Sequence, residues 1–533
     1  MERRAFLASA AAAALAAPLA APRLAAAQSG PGSRVLRFIP ESDATVLDPV
    51  WTTATVTRNH GYLVFDTLYG QADDFSIQPQ MVEGHVVEQD GLRWTLTLRE
   101  GLRFHDGEPV RGVDCVASIR RIAARDAFAA ALMAATEELS APTDRTIVFR
   151  LKKRFPLLPN ALGKTGTSMP AMMPERLART DPGTRVTEMV GSGPFRYLAR
   201  EHVDGAFSAY GRFEGYQPRQ GGSASFTAGP KQAHFDRIEW RIIPDPATAA
   251  GALMNGEVDW WQQAAIDLLP MLSRGNRFST MVQDVSGNLG TLRFNHLLPP
   301  FDNPAIRRAL LGAISQADCM QAIAGSDASL WKDGVGPFPP GTPLANSVGV
   351  EAISGKRDYD KVKRDLAAAG YKGEPVVMMV AGDYPAQSAM GLVAADALKR
   401  GGLNVDLQVL DWGTVVQRRA KKDAPQAGGW NLFITFLTGT NNFDPASHLG
   451  LRGNGAGAWF GWPTLPRLEA LRQDWFDAPD LAAQKQVGEA IQRQFWEDVP
   501  YLPLGVYYQP TIFSKRLIGL RSGFPQFYDV RWG

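Results

Sequence analysis

Three short segments in the second half of the chain carry side chains suited to holding a small solute. Asp383-Tyr384 offers a carboxylate and a phenol, Trp412 an indole, and Thr438, Thr440, Asn441 and Asn442 two hydroxyls and two amides. Aromatic rings with a few convergent polar groups make a recognition surface for a small molecule, with no cofactor called for. Trp51 and Thr52, just after Asp48-Pro49, are candidates of the same kind from the first half. Catalytic or nucleotide chemistry would leave other traces. No Gly-x-Ser-x-Gly elbow occurs. Gly163-Lys164-Thr165 imitates the end of a P-loop, but position 158 is Leu158, where the phosphate cradle needs glycine. Gly453-Asn454-Gly455-Ala456-Gly457 lacks dinucleotide-motif spacing and reads as a flexible loop. His60, His85, His105, His202, His234, His296 and His448 are dispersed, with no His-Glu-x-x-His and no Cys/His pair at zinc spacing, so no metal site is expected. A carboxylate pair assembled in space leaves no trace in sequence, so an exported hydrolase stays open as an alternative.

The elements around these residues place them together. Segments 376–380, 405–410 and 430–436 read as strands, alternating with helices over 385–400 and 414–420. Strand–helix–strand–helix–strand with short loops predicts a parallel sheet covered by helices. Ligands of such sheets sit beyond the carboxyl ends of the strands. Those ends are the loops 381–384, 411–414 and 437–442, which hold the candidate residues. Trp412 fits a hinge-side core position equally well, and Tyr384, Asn441 and Asn442 also suit loop and turn roles. Helical patterns at 113–124 and 306–323 contain Cys115 and Cys319, expected as buried free thiols. Segment 62–69 is apolar and helix-like, and 212–231, rich in Gly, Ser and Gln, predicts a surface loop. Upstream, Trp94, Leu96 and Leu98 alternate with Thr95, Thr97 and Arg99 after a Gln89-Asp90-Gly91 turn, the pattern of a half-buried hairpin strand.

A chain of 533 residues exceeds what one hydrophobic core usually supports, so two or more lobes are expected. The N-terminus has the build of an export signal: Arg3-Arg4-Ala5-Phe6-Leu7, an Ala/Leu run, then Ala25-Ala26-Ala27. The paired arginines suggest the twin-arginine route, a Sec signal being the alternative, with cleavage near Ala27 and a periplasmic product. Without residues 1–27 the chain has 53 basic and 53 acidic residues, so no charge excess favours nucleic acid or an anionic membrane surface.

As a string, residues 93–110, RWTLTLREGLRFHDGEPV, resemble the signature of the family 5 extracytoplasmic solute-binding proteins, the dipeptide, oligopeptide and nickel binders of ABC importers. Leu47-Asp48-Pro49, Val64-Phe65-Asp66-Thr67-Leu68-Tyr69, Gly191-Ser192-Gly193-Pro194-Phe195, Phe294-Asn295, Ile306-Arg307-Arg308-Ala309-Leu310, Ala368-Ala369-Gly370-Tyr371 and Asp411-Trp412 follow in the family's order. The resemblance implies an α/β, two-lobed periplasmic-binding-protein fold of type II, with an extra subdomain in lobe one and the ligand cleft between the lobes. It implies lobe one over 28–288, lobe two over 289–503 and a return over 504–533, with crossings near Gly290 and Leu504. It further implies a monomer that catalyses nothing, closes by hinge motion on a peptide-like solute and delivers it to an inner-membrane ABC permease complex. A non-peptide solute (an opine, a sugar-like compound or a metal chelate) and a chemoreceptor- or chaperone-linked role are the alternatives.

Two positions depart from the peptide-binding relatives. Aligned on Asp444-Pro445, Asn441 stands where they place the aspartate that takes the peptide's amino terminus. Ala381 is the nearest match to an arginine that holds a dipeptide carboxylate. Each lost charge-assisted contact is worth roughly 1.5–3 kcal/mol, so plain zwitterionic dipeptides are expected to bind poorly.

Overall fold

The computed structural model describes residues 34–166 and 168–533, so the expected export signal and the start of lobe one lie outside the described residues. The alternation at Trp94, Leu96 and Leu98 produces the strand Arg93–Leu98, with all three apolar side chains buried. Gln89, Asp90 and Gly91 all take positive φ (52°, 56° and 88°), turning the chain back from the antiparallel strand Val82–Glu88. With Thr146–Leu151 and Thr136–Thr143 these strands form a four-stranded antiparallel sheet, packed against the helix Gly112–Ala123. This is the extra subdomain.

The main sheet of the first lobe runs in the order Phe278–Val282, Pro510–Ser514, Trp260–Trp261, Val35–Ile39, Arg237–Arg241, Phe207–Arg212, Phe195–Tyr197. Val35–Ile39 at its centre is parallel to both neighbours. In the second lobe the order is Trp331–Lys332, Tyr501–Tyr507, Asn288–Phe294, Leu432–Thr438, Val376–Ala381, Val405–Leu410. The last three strands are mutually parallel, as the strand–helix alternation predicts, and antiparallel strands complete the sheet. Between Val376–Ala381 and Val405–Leu410 the helix Pro385–Arg400 falls on the predicted residues.

Two neighbouring antiparallel ribbons join the lobes. Phe278–Val282 pairs with Pro510–Ser514 in the first sheet, and their continuations Asn288–Phe294 and Tyr501–Tyr507 pair in the second. The chain therefore changes sheet within 283–287 and 508–509. Gly290 and Leu504 lie inside second-lobe strands, so the return to lobe one begins near Pro510, not at Leu504. Gly290 sits instead at a register shift, where a Cβ would meet Met390 Sδ at 3.0 Å and Leu504 Cβ at 3.1 Å.

Other expectations need adjustment. The apolar run 62–69 is the end of the helix Thr55–Val64, then irregular chain, then the short strand Tyr69–Gln71. The pattern 306–323 is two helices, Pro304–Leu311 and Gln316–Ala324, because Ser315 accepts from the Asp318 N–H and starts a new one. Cys115 and Cys319 are buried and free.

The signature motifs are structural. Asp48 is fully buried and accepts from Arg121 Nη2 (2.8 Å) and the Val186 and Val50 N–H groups. Asp66 accepts from Lys231 Nζ at 2.7 Å and the Tyr216 hydroxyl at 2.9 Å. His105 binds the Gly191–Gly193 turn: its N–H donates to Gly191 O at 2.8 Å and its Nε2 lies 3.0 Å from Gly193 O. A Cβ at Gly191 would collide with the Val64 carbonyl and the Phe65 ring, so glycine is required for this approach. Burial lowers the His105 pKa to about 4, so the ring is neutral at pH 7.

Candidate functional site

The three second-lobe loops follow the carboxyl ends of their parallel strands. Tyr384 caps the helix Pro385–Arg400, Asp411 caps Trp412–Arg418 by accepting from the Thr414 N–H, and Thr438 precedes the short helix Gly439–Asn442. Asp383 is exposed and accepts from the Trp412 N–H at 2.8 Å, tying two of the loops together. The Tyr384 ring lies 6.2 Å from Trp412 and 5.6 Å from Phe436, which in turn lies 6.0 Å from Tyr507. These four rings form an aromatic wall. Beyond Trp412, the Arg419 guanidinium stands 5.2 Å from the indole and 4.8 Å from Phe460, and burial lowers its pKa to about 10.

The first lobe faces this wall with charge. Tyr384 lies beside Gln263 and Glu41, and its phenol is pushed well above the usual range by burial, so it stays neutral. Glu41 accepts from the Thr55 hydroxyl and from Gln263 Nε2 (2.9 Å). Arg58, 5% exposed, spans the lobes by donating from Nη1 to Thr440 Oγ1 at 3.2 Å. Its Nε and Nη2 donate to Asn59, and its guanidinium covers the Phe524 ring at 4.0 Å. Burial raises the pKa of both Glu41 and Asp284, with Arg58 opposing. Thr440 and Asn442 are buried; both amide atoms of Asn442 lack a hydrogen-bond partner among the described residues. Asn441 packs on Gly166 of the first lobe so closely that a Cβ there would clash.

Further contacts join the lobes outside the aromatic wall. Phe476 stacks on Phe155 at 6.0 Å and meets Phe128 edge-on at 5.8 Å. Lys164 is 2.5 Å from Asp126, and beside them burial lifts the Asp444 carboxyl to about 6 against the opposing pull of Lys164. The apparent P-loop lysine is thus an ion-pair partner. At the rim, Asp73–Phe75 and residues 341–346 border a groove of about 460 Å³, and Phe75 packs on Phe443 at 5.1 Å.

The structure therefore gathers Tyr384, Trp412, Thr438, Thr440, Asn441 and Asn442 on one side of the interlobe space, with Asp383 behind them as a turn residue. Trp51 and Thr52 are not brought to it: Trp51 donates to Gly183 O at 2.9 Å and stacks under Arg125, and Thr52 accepts from the Ala54 N–H. Glu41, Arg58, Gln263 and Asp284 were not read from the sequence. A signal existed for two of them, since Glu41 and Gln263 follow the carboxyl ends of Val35–Ile39 and the parallel Trp260–Trp261. No group of three or more His, Cys, Asp or Glu side chains among the described residues could hold a metal ion.

Residues 76–458 match the model of the bacterial extracellular solute-binding proteins, family 5. A probable peptide ABC transporter periplasmic-binding protein of Sinorhizobium fredii is 35% identical over 478 residues, 89% of each chain. A glutathione-binding protein of Pectobacterium atrosepticum is 24% identical over 90% of each. Among solved structures, the Agrobacterium tumefaciens binding protein AgaA in complex with agropinic acid superposes with TM-score 0.77 at 19% identity, covering 94% of this chain and 99% of its own. An ABC transporter-associated periplasmic binding protein of Helicobacter pylori in complex with the peptide STSA gives TM-score 0.78 at 19% identity, covering 93% of this chain and 98% of its own. With the two-lobed α/β fold and an aromatic wall facing a charged first-lobe surface, the chain belongs to the family 5 bacterial extracellular solute-binding proteins of ABC transporters.

Proposed function

We propose that this protein is the periplasmic binding component of an ABC importer, exported through its twin-arginine signal and acting as a monomer. It captures one small peptide-like solute between its lobes and delivers it to the inner-membrane permease complex without transforming it. The observation that carries this is the set of contacts made only when the lobes meet: Arg58 to Thr440, and Tyr384 over Gln263 and Glu41. Closure around a solute by hinge motion at 283–287 and 508–509 would make these bonds together. The ligand contacts assigned are those of Tyr384, Trp412, Thr438, Thr440, Asn441 and Asn442.

The substituted anchors favour a second reading, a non-peptide or blocked solute. Asn441 cannot neutralise an ammonium, and Ala381 cannot hold a carboxylate. One structural neighbour was solved holding agropinic acid and not a peptide. Calorimetric titration with unmodified dipeptides, N-blocked dipeptides and opines separates the two. Low-micromolar binding of an unmodified dipeptide by the wild type would reject the second reading.

A further inference from the structure

On the first-lobe side the charges facing the aromatic wall do not cancel, while the second-lobe cation, Arg419, lies beyond Trp412 against Phe460. Among the described residues Arg58 is the first-lobe cation whose field reaches both Glu41 and Asp284. Asp284 is supplied locally, accepting from the Ser286 N–H at 3.0 Å and from the Ser286 hydroxyl. Arg58 is held by Asn59 and Thr440 and lies in the field of both carboxylates. Glu41 is different. Both of its donors, Thr55 and Gln263, are neutral, and an ionised carboxylate has room for about two more hydrogen bonds. Part of its surface stays exposed, and the Thr55 hydroxyl and the field of Arg58 oppose the upward push that burial gives its pKa. It lies beside Tyr384, whose ring continues to Phe436 and Trp412. A carboxylate beside aromatic faces attracts an organic cation through both charge and ring quadrupole. In the second lobe the Asn442 amide, 0% exposed, has neither its donor nor its acceptor satisfied among the described residues.

We infer that Glu41 of the first lobe, rather than residue 441 of the second, takes the solute's cationic group, so the solute carries an ammonium or guanidinium next to an apolar or aromatic segment that lies on Tyr384 and Trp412. This rests on the solute-capture reading above and adds the charge class and the anchoring side. A zwitterion would bring a carboxylate for which position 381 has no arginine; a cation whose acid is blocked or absent avoids that cost.

The test uses thermal shift and calorimetry on the full mature protein, wild type and Glu41→Gln, with Glu41→Asp as the conservative control. The probes are phenylalanyl-alanine amide and phenylalanine amide (cations), N-acetylphenylalanine amide (neutral), and N-acetylphenylalanine and agropinic acid (acidic). The cations are expected to bind wild type, to weaken at least tenfold in Glu41→Gln and to recover in part in Glu41→Asp, while circular dichroism shows all three proteins equally folded. Preferential binding of the neutral or acidic probes, or cation binding that survives Glu41→Gln, overturns the inference and leaves solute capture standing. If no probe and no member of a broad solute collection binds, the capture reading itself falls, and this inference with it.

Discussion

The sequence motifs of the first lobe and the loops of the second are built on opposite principles. In the first, Asp48, Asp66 and His105 are buried with partners supplied from several segments, and the Gly191–Gly193 turn is pressed against the end of a helix. In the second, Tyr384, Trp412 and Asn441 are only partly buried, and the Asn442 amide has no partner among the described residues. The first-lobe cluster pairs its charged groups with one another and holds a fold, although Arg121 Nε and the Ser192 hydroxyl lack partners among the described residues. Partly exposed polar loops beside aromatic rings have capacity left for a ligand. The most recognisable residues of this chain are thus of the first kind, and the residues that would set specificity are of the second.

The largest effect that could break this contrast is at Asp48. Asp48→Ala leaves Arg121 charged in a site where its side chain is 1% exposed, which costs about 3–5 kcal/mol. Urea unfolding should show that loss, with solute affinity unchanged in whatever protein remains folded. A stable variant with altered affinity would place Asp48 in the binding surface instead.

A smaller effect concerns pH. The His105 pKa is about 4 in the folded chain against 6.5 unfolded, so the unfolded state takes up a proton first as pH falls. The share of stability from this group is complete above pH 6.5 and lost progressively down to pH 4, about 3 kcal/mol in all. His60 and His448 act in the same direction, while Asp444, raised to about 6, acts in the opposite one. The difference in acid stability between wild type and His105→Gln isolates the contribution; identical profiles would show that the ring is solvated. The smallest effect is Thr440→Val, which removes the acceptor of Arg58 Nη1 across the lobes. Loss of one bond to a charged donor should weaken solute binding on the order of tenfold, with little change in unfolding. An unchanged affinity would mean that the contact does not report closure.

Much of the fold was legible because periodicity and turn chemistry are local. Trp94, Leu96 and Leu98 announce their strand, and Pro385 with the apolar run after it fixes a helix at its observed bounds. The candidate site was legible on one side only. The parallel strands of the second lobe point their exits at Tyr384, Trp412 and residues 438–442. The same rule applied to Val35–Ile39 would have reached Glu41, but its parallel neighbours lie about 200 residues downstream and one is two residues long. Arg58 was hidden for a related reason: its acceptor Thr440, and Asp284 in whose field it lies, are brought to it only by the folding of both lobes. Trp51, placed beside an informative motif, turned out to serve that motif's packing.

The central claim is that one solute is held against the second-lobe loops and not by the first-lobe motifs at Asp48, Asp66 and His105. It is tested most directly by equilibrating wild type, Tyr384→Ala and His105→Gln with a mixture of peptides, capped peptides and opines. After gel filtration, the solute released on denaturation is identified by mass spectrometry. The account predicts about one retained molecule per chain in wild type and in folded His105→Gln, and none in Tyr384→Ala. Retention by Tyr384→Ala equal to wild type, or no retained solute in any of the three, would contradict it.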